Sequence, residues 1–468
     1  MPAWRMRLWL VAVLLFAALG AWPAMAQIAW GVNGHPINSY PGISYAAQLD
    51  LLKDLGARSY RVDISNVASG DRLAELIAEA EKRGITILPV LTPDVDLKTM
   101  GVDELYTRTR DMAKALGARF RDKIRVWELG NEMENFAIIQ PCENRDDGTV
   151  YPCEWGPAGG VGVLDYYGPR WAKVSAALRG LSDGMSEADP TIRKAMGTAG
   201  WGHTGAFERM RIDGIGWDIS VWHMYGEDPE WAFKQLAAHG KPIWVTEFNQ
   251  PYGSQKSAQE QADGLVRWMR RLRELQASYH IEEAHIYELL DETYWAPDFE
   301  AYMGLVELHG SAAEGWRLGG LKPAYVAVRG EIETPQPAGN PGCDPASIGR
   351  IADPAFRKAS LGYCLVLGRS AGLFEAEGWV RALEDGTSEV DMLVAMLGSE
   401  EFRDKHAVAG MDDRAYVDLL YKRLLARPAD GAGLDSYVAQ IKAGTATRET
   451  IARAILLSGE FAKKYASP

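Results

Sequence analysis

Between Gln27 and about Arg329, short runs rich in apolar and β-branched residues alternate with amphipathic stretches of helical period, and the alternation recurs eight times. The strand candidates are 28–33, 59–65, 86–92, 124–129, 194–198, 219–224, 243–248 and 284–287. Helical stretches such as "YAAQLDLLKDLGA" (45–57) and "RLAELIAEAEKRG" (72–84) lie between them, each ending at glycine or a small residue, as helices prefer. Eight strand-then-helix units in a domain of this size predict an α/β fold, the (β/α)8 TIM barrel. An open doubly wound sheet would carry a Gly-rich nucleotide loop after its first strand, and "WGVNGHP" (30–36) is not one.

The pattern breaks at "ETPQPAGNPGCDP" (333–345), whose prolines and glycines read as a linker. Beyond it the chain is helical and repeats itself. "YCLVLGR" (363–369) returns as "YKRLLAR" (421–427), and "LGSEEF" (397–402) as "LLSGEF" (456–461), 58 or 59 residues later. The expected organisation is a signal peptide over 1–26, a barrel over 27–332, a linker over 333–350 and an all-α two-repeat domain over 351–468. "DGAGLD" (430–435) reads as a capped turn, because the first copy lacks the oxygen-rich pattern of a calcium loop.

Arg5 and Arg7, the apolar run that follows and "AMA" at 24–26 make a secretory leader with cleavage near Ala26. The run is too short to span a bilayer, and no later segment is apolar enough. The mature chain is then secreted or periplasmic. The formal charge of −13 becomes −15 without the leader, which disfavours nucleic acid and anionic membrane as partners and favours a neutral one. Four cysteines in an oxidising compartment read as two disulfides. Local closure pairs Cys142 with Cys153 and Cys343 with Cys364, although three connectivities are open. No metal or cofactor is expected: CxxC spacing is absent, and so is a histidine cluster among the eight histidines.

The stretch "VWELGNEMEN" (126–135) puts Glu128, Glu132 and Glu134 at a strand end, where unpaired buried charge would cost several kcal/mol. In a barrel of this kind chemistry sits at the C-terminal ends of strands. That filter leaves Arg61 and Asp63 after the second strand, Asn131 and Glu132 after the fourth, His223 and Tyr225 after the sixth, and Glu247 after the seventh. Glu128 reads as a buried carboxylate paired with an arginine, and Glu134 as a loop or rim residue. His35, Trp201, Trp222 and Trp295 lie near strand ends and are candidates for the same mouth, the tryptophans as stacking surfaces or as packing.

These residues resemble clan A glycoside hydrolases: Asn131-Glu132 in "WELGNEM", Glu247 in "PIWVTEFNQ", His223 and Tyr225 in "WHMY", and Arg61 in "YRVD". Met133 and the absence of a third-strand histidine depart from that pattern. "HIYELLDE" (285–292) places Tyr287 and Glu288 at the end of the eighth strand, closer to family 39 and to hydrolases associated with bacterial exopolysaccharides. The C-terminal repeats resemble domain of unknown function family 4214, found in secreted and surface bacterial proteins.

The resemblance implies a retaining β-glycosidase acting on a polysaccharide or oligosaccharide. Glu132 is then the acid/base, expected to titrate high, and Glu247 the nucleophile. Asn131, Arg61, His223, Tyr225, His35, Trp201, Trp295 and Tyr287 contact or orient substrate, and the repeats bind a cell-surface or matrix component. The alternative is a carbohydrate-binding surface protein whose barrel does no chemistry; two facing carboxylates argue against it.

Overall fold

The computed structural model describes residues 27–333, Cys343, Ile348, 354–371 and 373–465. The expected leader and most of the expected linker lie outside them. No helix among the described residues is long and apolar enough to cross a membrane.

Eight parallel strands close into a barrel: β1 (Ala29–Gly34), β2 (Ser59–Ile64), β3 (Thr86–Leu91), β4 (Val126–Leu129), β5 (Arg193–Thr198), β6 (Ile219–Met224), β7 (Ile243–Phe248) and β8 (Ile281–Ile286). Closure is made by β1, which pairs with β2 on one side and β8 on the other. A helix follows each strand: α1 (Tyr45–Leu55), α2 (Gly70–Glu81), α3 (Val102–Phe120), α4 (Gly168–Ala188), α5 (Gly205–Ile212), α6 (Glu230–Ala237), α7 (Ala258–Tyr279) and α8 (Pro323–Glu333). This is the TIM barrel that the alternating pattern predicts.

Local chemistry sets the helix limits. Ser44 accepts from the Ala47 N–H and starts α1; Gly56, at φ 83°, ends it, and Leu49, Leu52 and Leu55 turn to the barrel. Strands β6 and β7 are buried along their whole length, so they show no exposed-polar alternation, and their polar residues Ser220, His223, Thr246 and Glu247 are buried with the rest. Between β8 and α8 the chain adds an antiparallel hairpin, β9 (Val306–Ser311) and β10 (Gly315–Leu321), that sequence reading did not anticipate. Four glycines in "ELHGSAAEGWRLGG" hide its strand signal.

The contacts divide the chain into two compact units on either side of Pro335. The second contains α9 (Pro354–Gly362), α10 (Leu373–Glu384), α11 (Glu389–Leu397), α12 (Glu400–Lys405), α13 (Asp413–Leu420), α14 (Gly431–Lys442), α15 (Arg448–Leu456) and α16 (Gly459–Tyr465). Its two copies are built alike. In one, Arg369 lies over the Tyr363 ring at 5.1 Å and bonds Glu401; in the other, Arg427 lies over Tyr421 at 4.9 Å and bonds Glu460. Asp430 caps α14 by accepting from the Gly433 N–H, so "DGAGLD" is the capped turn. Disulfides join Cys142 to Cys153 and Cys343 to Cys364.

Around the barrel, α3 and α4 approach through small residues. Thr109 donates to the Ala177 carbonyl at 3.0 Å, and a Cβ at Gly184 would land on the Arg110 carbonyl oxygen. Gly184→Val should therefore cost about 1–3 kcal/mol in urea unfolding, the usual penalty for overpacking. An unchanged midpoint would show that the two helices have room to separate.

Candidate active site

The residues at the C-terminal strand ends face one another because successive inward positions on a strand are two residues apart. Asn33 lies on β1 and His35 just after it, Arg61 and Asp63 lie on β2, and Glu247 comes from β7.

Arg61 is the hub of this layer. It is only 3% exposed, and all five of its N–H donors are used. Nε and Nη2 grip Glu128 at 2.7 and 2.6 Å, Nη2 also donates to Asn131 Oδ1 at 2.7 Å, and Nη1 donates to Asn33 Oδ1 and Glu247 Oε1, both at 2.8 Å. Glu128, 1% exposed, is thus the arginine's bidentate partner. Burial lowers the arginine's proton affinity, but Glu128 and Glu247 outweigh it and hold Arg61 above its ordinary range.

Glu247 receives a second donor, the Tyr225 hydroxyl, on Oε2 at 2.8 Å. His223 stands between Glu247 and Glu132. Its Nδ1 is 2.8 Å from Glu132 Oε1 and 3.4 Å from Glu247 Oε2, and its Nε2 is 3.1 Å from Thr246 Oγ1. Thr246 spends its own proton on Glu128 Oε1, so Nε2 must carry a hydrogen. The proton between Nδ1 and Glu132 is the one free to move. Donor and acceptor atoms of Glu132, His223 and Glu247 all lie within 4.8 Å of one another, so the nearest oxygens of the two glutamates are no farther apart than that.

A β-bulge makes this possible. In the β6–β7 register Trp222 is opposite Val245 and His223 opposite Glu247, which leaves Thr246 unpaired. The extra residue lets consecutive side chains, Thr246 and Glu247, both serve His223. Glu132 follows β4 in the left-handed region at φ 49°, just beyond Gly130 at φ 80°.

The expectation that Glu132 titrates high is overturned. Burial pushes it up, but hydrogen bonding and attraction from His223, with Arg61 and His203 behind, pull it below the usual carboxylate range. His223 moves the other way: burial lowers it, and Glu247 and Glu132 raise it above its ordinary value. The shared proton therefore rests on His223. Glu134 is also a correction. It is buried, not at the rim, and accepts from the Ala199 N–H at 2.7 Å and from His203 at 2.9 Å, because the 3-10 turn Met133–Ala137 folds it inward.

Trp201, at φ 53°, is 68% exposed beside a recess that also takes in Trp222, His223 and Tyr225. Trp222 is buried edge-on to Trp231 and acts as wall. Trp295, 54% exposed, lies on the turn Thr293–Trp295 after β8. That loop reaches the same mouth. Farther along it, Glu300 is held above its usual range by burial and then by Asp298, Glu292, Glu132 and Glu247. The Tyr287 ring meets Tyr225 edge-on at 6.3 Å, and its hydroxyl donates to Glu292 at 3.2 Å. His35 bonds Asp63 through Nδ1 and turns Nε2 toward Glu288 and Glu292. Asn33 and Thr246 were missed by sequence reading. Each stands two residues or fewer before a residue that was singled out, which was the available signal.

Residues 171–288 match a family model described as the glycosyl hydrolase catalytic core, and residues 398–465 match a domain of unknown function, DUF4214. The first match covers the second half of the barrel, from within α4 to just past β8. The matched segment of the core includes His223, Tyr225 and Glu247. No curated protein matches the chain. Among solved structures, a psychrophilic beta-glucosidase from Micrococcus antarcticus is similar with a TM-score of 0.50 and 13% identity, over 67% of this chain and 98% of that one. A family 1 beta-glucosidase from Thermotoga maritima (0.47, 13%, 65% and 97%) and an endo-beta-1,4-mannanase from Thermotoga petrophila (0.41, 15%, 65% and 76%) are also similar. At 13% identity the likeness to the Micrococcus antarcticus enzyme concerns the fold alone, while the match to the catalytic core supports a glycoside hydrolase.

Arg61→Ala would strand Glu128 and Glu247 as buried charges without their cation. A loss of about 3–5 kcal/mol of stability is expected in denaturant unfolding. A loss under about 1 kcal/mol would mean that the network is not what holds this layer together.

Proposed function

We propose that the chain is an exported, retaining β-glycosidase that hydrolyses a polysaccharide or oligosaccharide by double displacement. The observation that carries this reading is the pair Glu132 and Glu247, set on β4 and β7 with their nearest oxygens within 4.8 Å. Retaining enzymes need carboxyl groups about 5–5.5 Å apart, whereas inverting ones leave about 6.5–9.5 Å for a water molecule.

In this mechanism Glu247 attacks the anomeric carbon while Glu132 protonates the departing oxygen, and a covalent glycosyl intermediate forms. Water, deprotonated by Glu132, then attacks that intermediate from the face the leaving group vacated. Arg61 and Tyr225 keep Glu247 an anion aimed at the sugar. Asn131 spends its Oδ1 on Arg61, so its amide NH2 is left to donate to the 2-hydroxyl. The proton held on His223 Nδ1 is drawn onto Glu132 as the leaving oxygen develops charge. Trp201, Trp295 and Tyr287 are sugar-stacking and wall residues, and His35, its Nδ1 engaged by Asp63, lines the mouth beside them.

Residues 27–332 form the catalytic domain and 351–468 a separate repeat domain that binds a surface or matrix component. The leader delivers the chain to the periplasm or the medium. A bacterial exopolysaccharide is the substrate class that the "YELLDE" resemblance favours.

The roles are tested by rescue. Glu247→Ala and Glu132→Ala should each lose about 10²–10⁴ in turnover. With a β-linked substrate carrying an activated leaving group, azide should give the β-glycosyl azide from Glu132→Ala and the inverted α-glycosyl azide from Glu247→Ala, read by proton NMR. Exchanged anomers would reverse the assignment, and a binding-only barrel would give neither product.

The pH profile follows from the shared proton. Acid catalysis fails when the His223–Glu132 pair loses its proton, and His223 holds it above the ordinary histidine value, so the basic limb of kcat/KM should lie above pH about 6.5. Glu132 is the acceptor that His223 depresses. In His223→Ala, Glu132 must hold the proton alone, and the basic limb should move to lower pH. A limb that stays in place would exclude His223 from the proton's path.

A further inference from the structure

On the β1 and β8 side of the mouth, His35 Nε2 lies 3.4 Å from Glu288 Oε2 and 3.7 Å from Glu292 Oε1. The three donor atoms all lie within 4.8 Å of one another. These separations are long for hydrogen bonds, whose usual N···O distance is about 2.9 Å. They suit three ligands around one small ion: bonds of about 2.1 Å arranged tetrahedrally put neighbouring ligand atoms roughly 3.4 Å apart.

Three further features point the same way. Asp63 bonds the opposite nitrogen of His35, which fixes the ring and turns Nε2 to the two glutamates, with the Tyr287 hydroxyl 3.5 Å away; metal-bound histidines are oriented by such a partner. Tyr40 donates to Glu288 Oε2, and Tyr287 and Tyr294 donate to Glu292 Oε2 and Oε1, so both carboxylates are held in place. Glu288 is wholly buried, and its Oε1 has no hydrogen-bond partner among the described residues. A buried carboxylate oxygen with no donor is costly unless a cation takes it. Asp63, Glu288 and Glu292 bring three carboxylates to a single histidine.

We propose that His35, Glu288 and Glu292 form a binding site for a divalent transition-metal ion of the zinc type, separate from the Glu132–Glu247 pair. One imidazole and two carboxylates are a nitrogen–oxygen donor set that suits zinc. Calcium prefers six to eight oxygen ligands, and three ligands including a nitrogen do not make such a site. The ammonium group of an amino sugar is a poorer occupant, because Glu288 and Glu292 are both buried. A bound ion would tie the end of β1 to the loop after β8. It would also fix Tyr287 against Tyr225, which bonds Glu247, and so hold one wall of the cleft.

The test reads metal rather than hydrolysis, so it is decided independently of the glycosidase reading. The full-length secreted chain, without a histidine tag, is stripped with chelator and dialysed against zinc chloride, and bound zinc is counted by elemental analysis. Cobalt is added in a parallel sample, and its visible absorption reports four-coordination. One ion per chain is expected, with affinity falling at least tenfold in Glu292→Gln and Glu288→Gln. A loss of about 10–100-fold is expected in Asp63→Asn, the effect of removing a ligand's supporting partner. Glu132→Gln should bind as the parent does. Thermal melts of each metal-free variant identify any that fail to fold, and Glu292→Gln, which keeps the shape of the side chain, decides the matter if the others do. Two results overturn the proposal: no stoichiometric zinc in the parent, or binding abolished by Glu132→Gln and retained in Glu292→Gln, which would put the ion between the facing glutamates instead.

Discussion

Arg61 is the interaction on which the mouth of this barrel depends. A guanidinium has five N–H donors in a fixed plane, and here all five are bonded to residues of three other strands and the turn after β4. Its cost is a cation taken out of water, which only several well-placed anions offset. Glu128 and Glu247 supply them. Because the fork is planar and rigid, the arginine also dictates where Asn33, Asn131 and Glu247 stand relative to one another, and lysine has no geometry that would do the same.

Around that fixed centre the remaining freedom is one proton. The bulge at Thr246 closes a line from Glu128 through Thr246 and His223 to Glu132, in which each hydrogen but one has a determined place. A buried histidine next to two carboxylates is more basic than one in water, and its partner glutamate more acidic. Proximity to Glu247 alone would have raised Glu132. The direct bond from His223 outweighs it.

Much of this was legible in the sequence, for reasons that differ from residue to residue. The eight strands stand out because buried parallel strands are short apolar runs with helices between them. Glu132, Glu247, His223, Tyr225 and Arg61 stand out because polar residues at the ends of such runs have no packing reason to be there. Glu134 was misplaced, since a strand-end residue counted forward along an extended chain should reach the rim, and only the left-handed turn at Glu132 reverses it. Asn33 and Thr246 look like ordinary small polar residues until the register is known. The β9–β10 hairpin escaped because glycine erases the alternation on which strand reading relies.

The backbone at Glu132 has a consequence for how this protein would evolve in the laboratory. A glutamate at φ 49° occupies a region where its side chain crowds its own carbonyl, at a cost on the order of 1 kcal/mol, while glycine sits there freely and asparagine nearly so. A library sorted for thermal tolerance alone would enrich glycine or asparagine at this position and discard the carboxylate that shares a proton with His223. The position is thus a marker of what selection has retained: a chain that keeps glutamate here has been screened for something other than robustness.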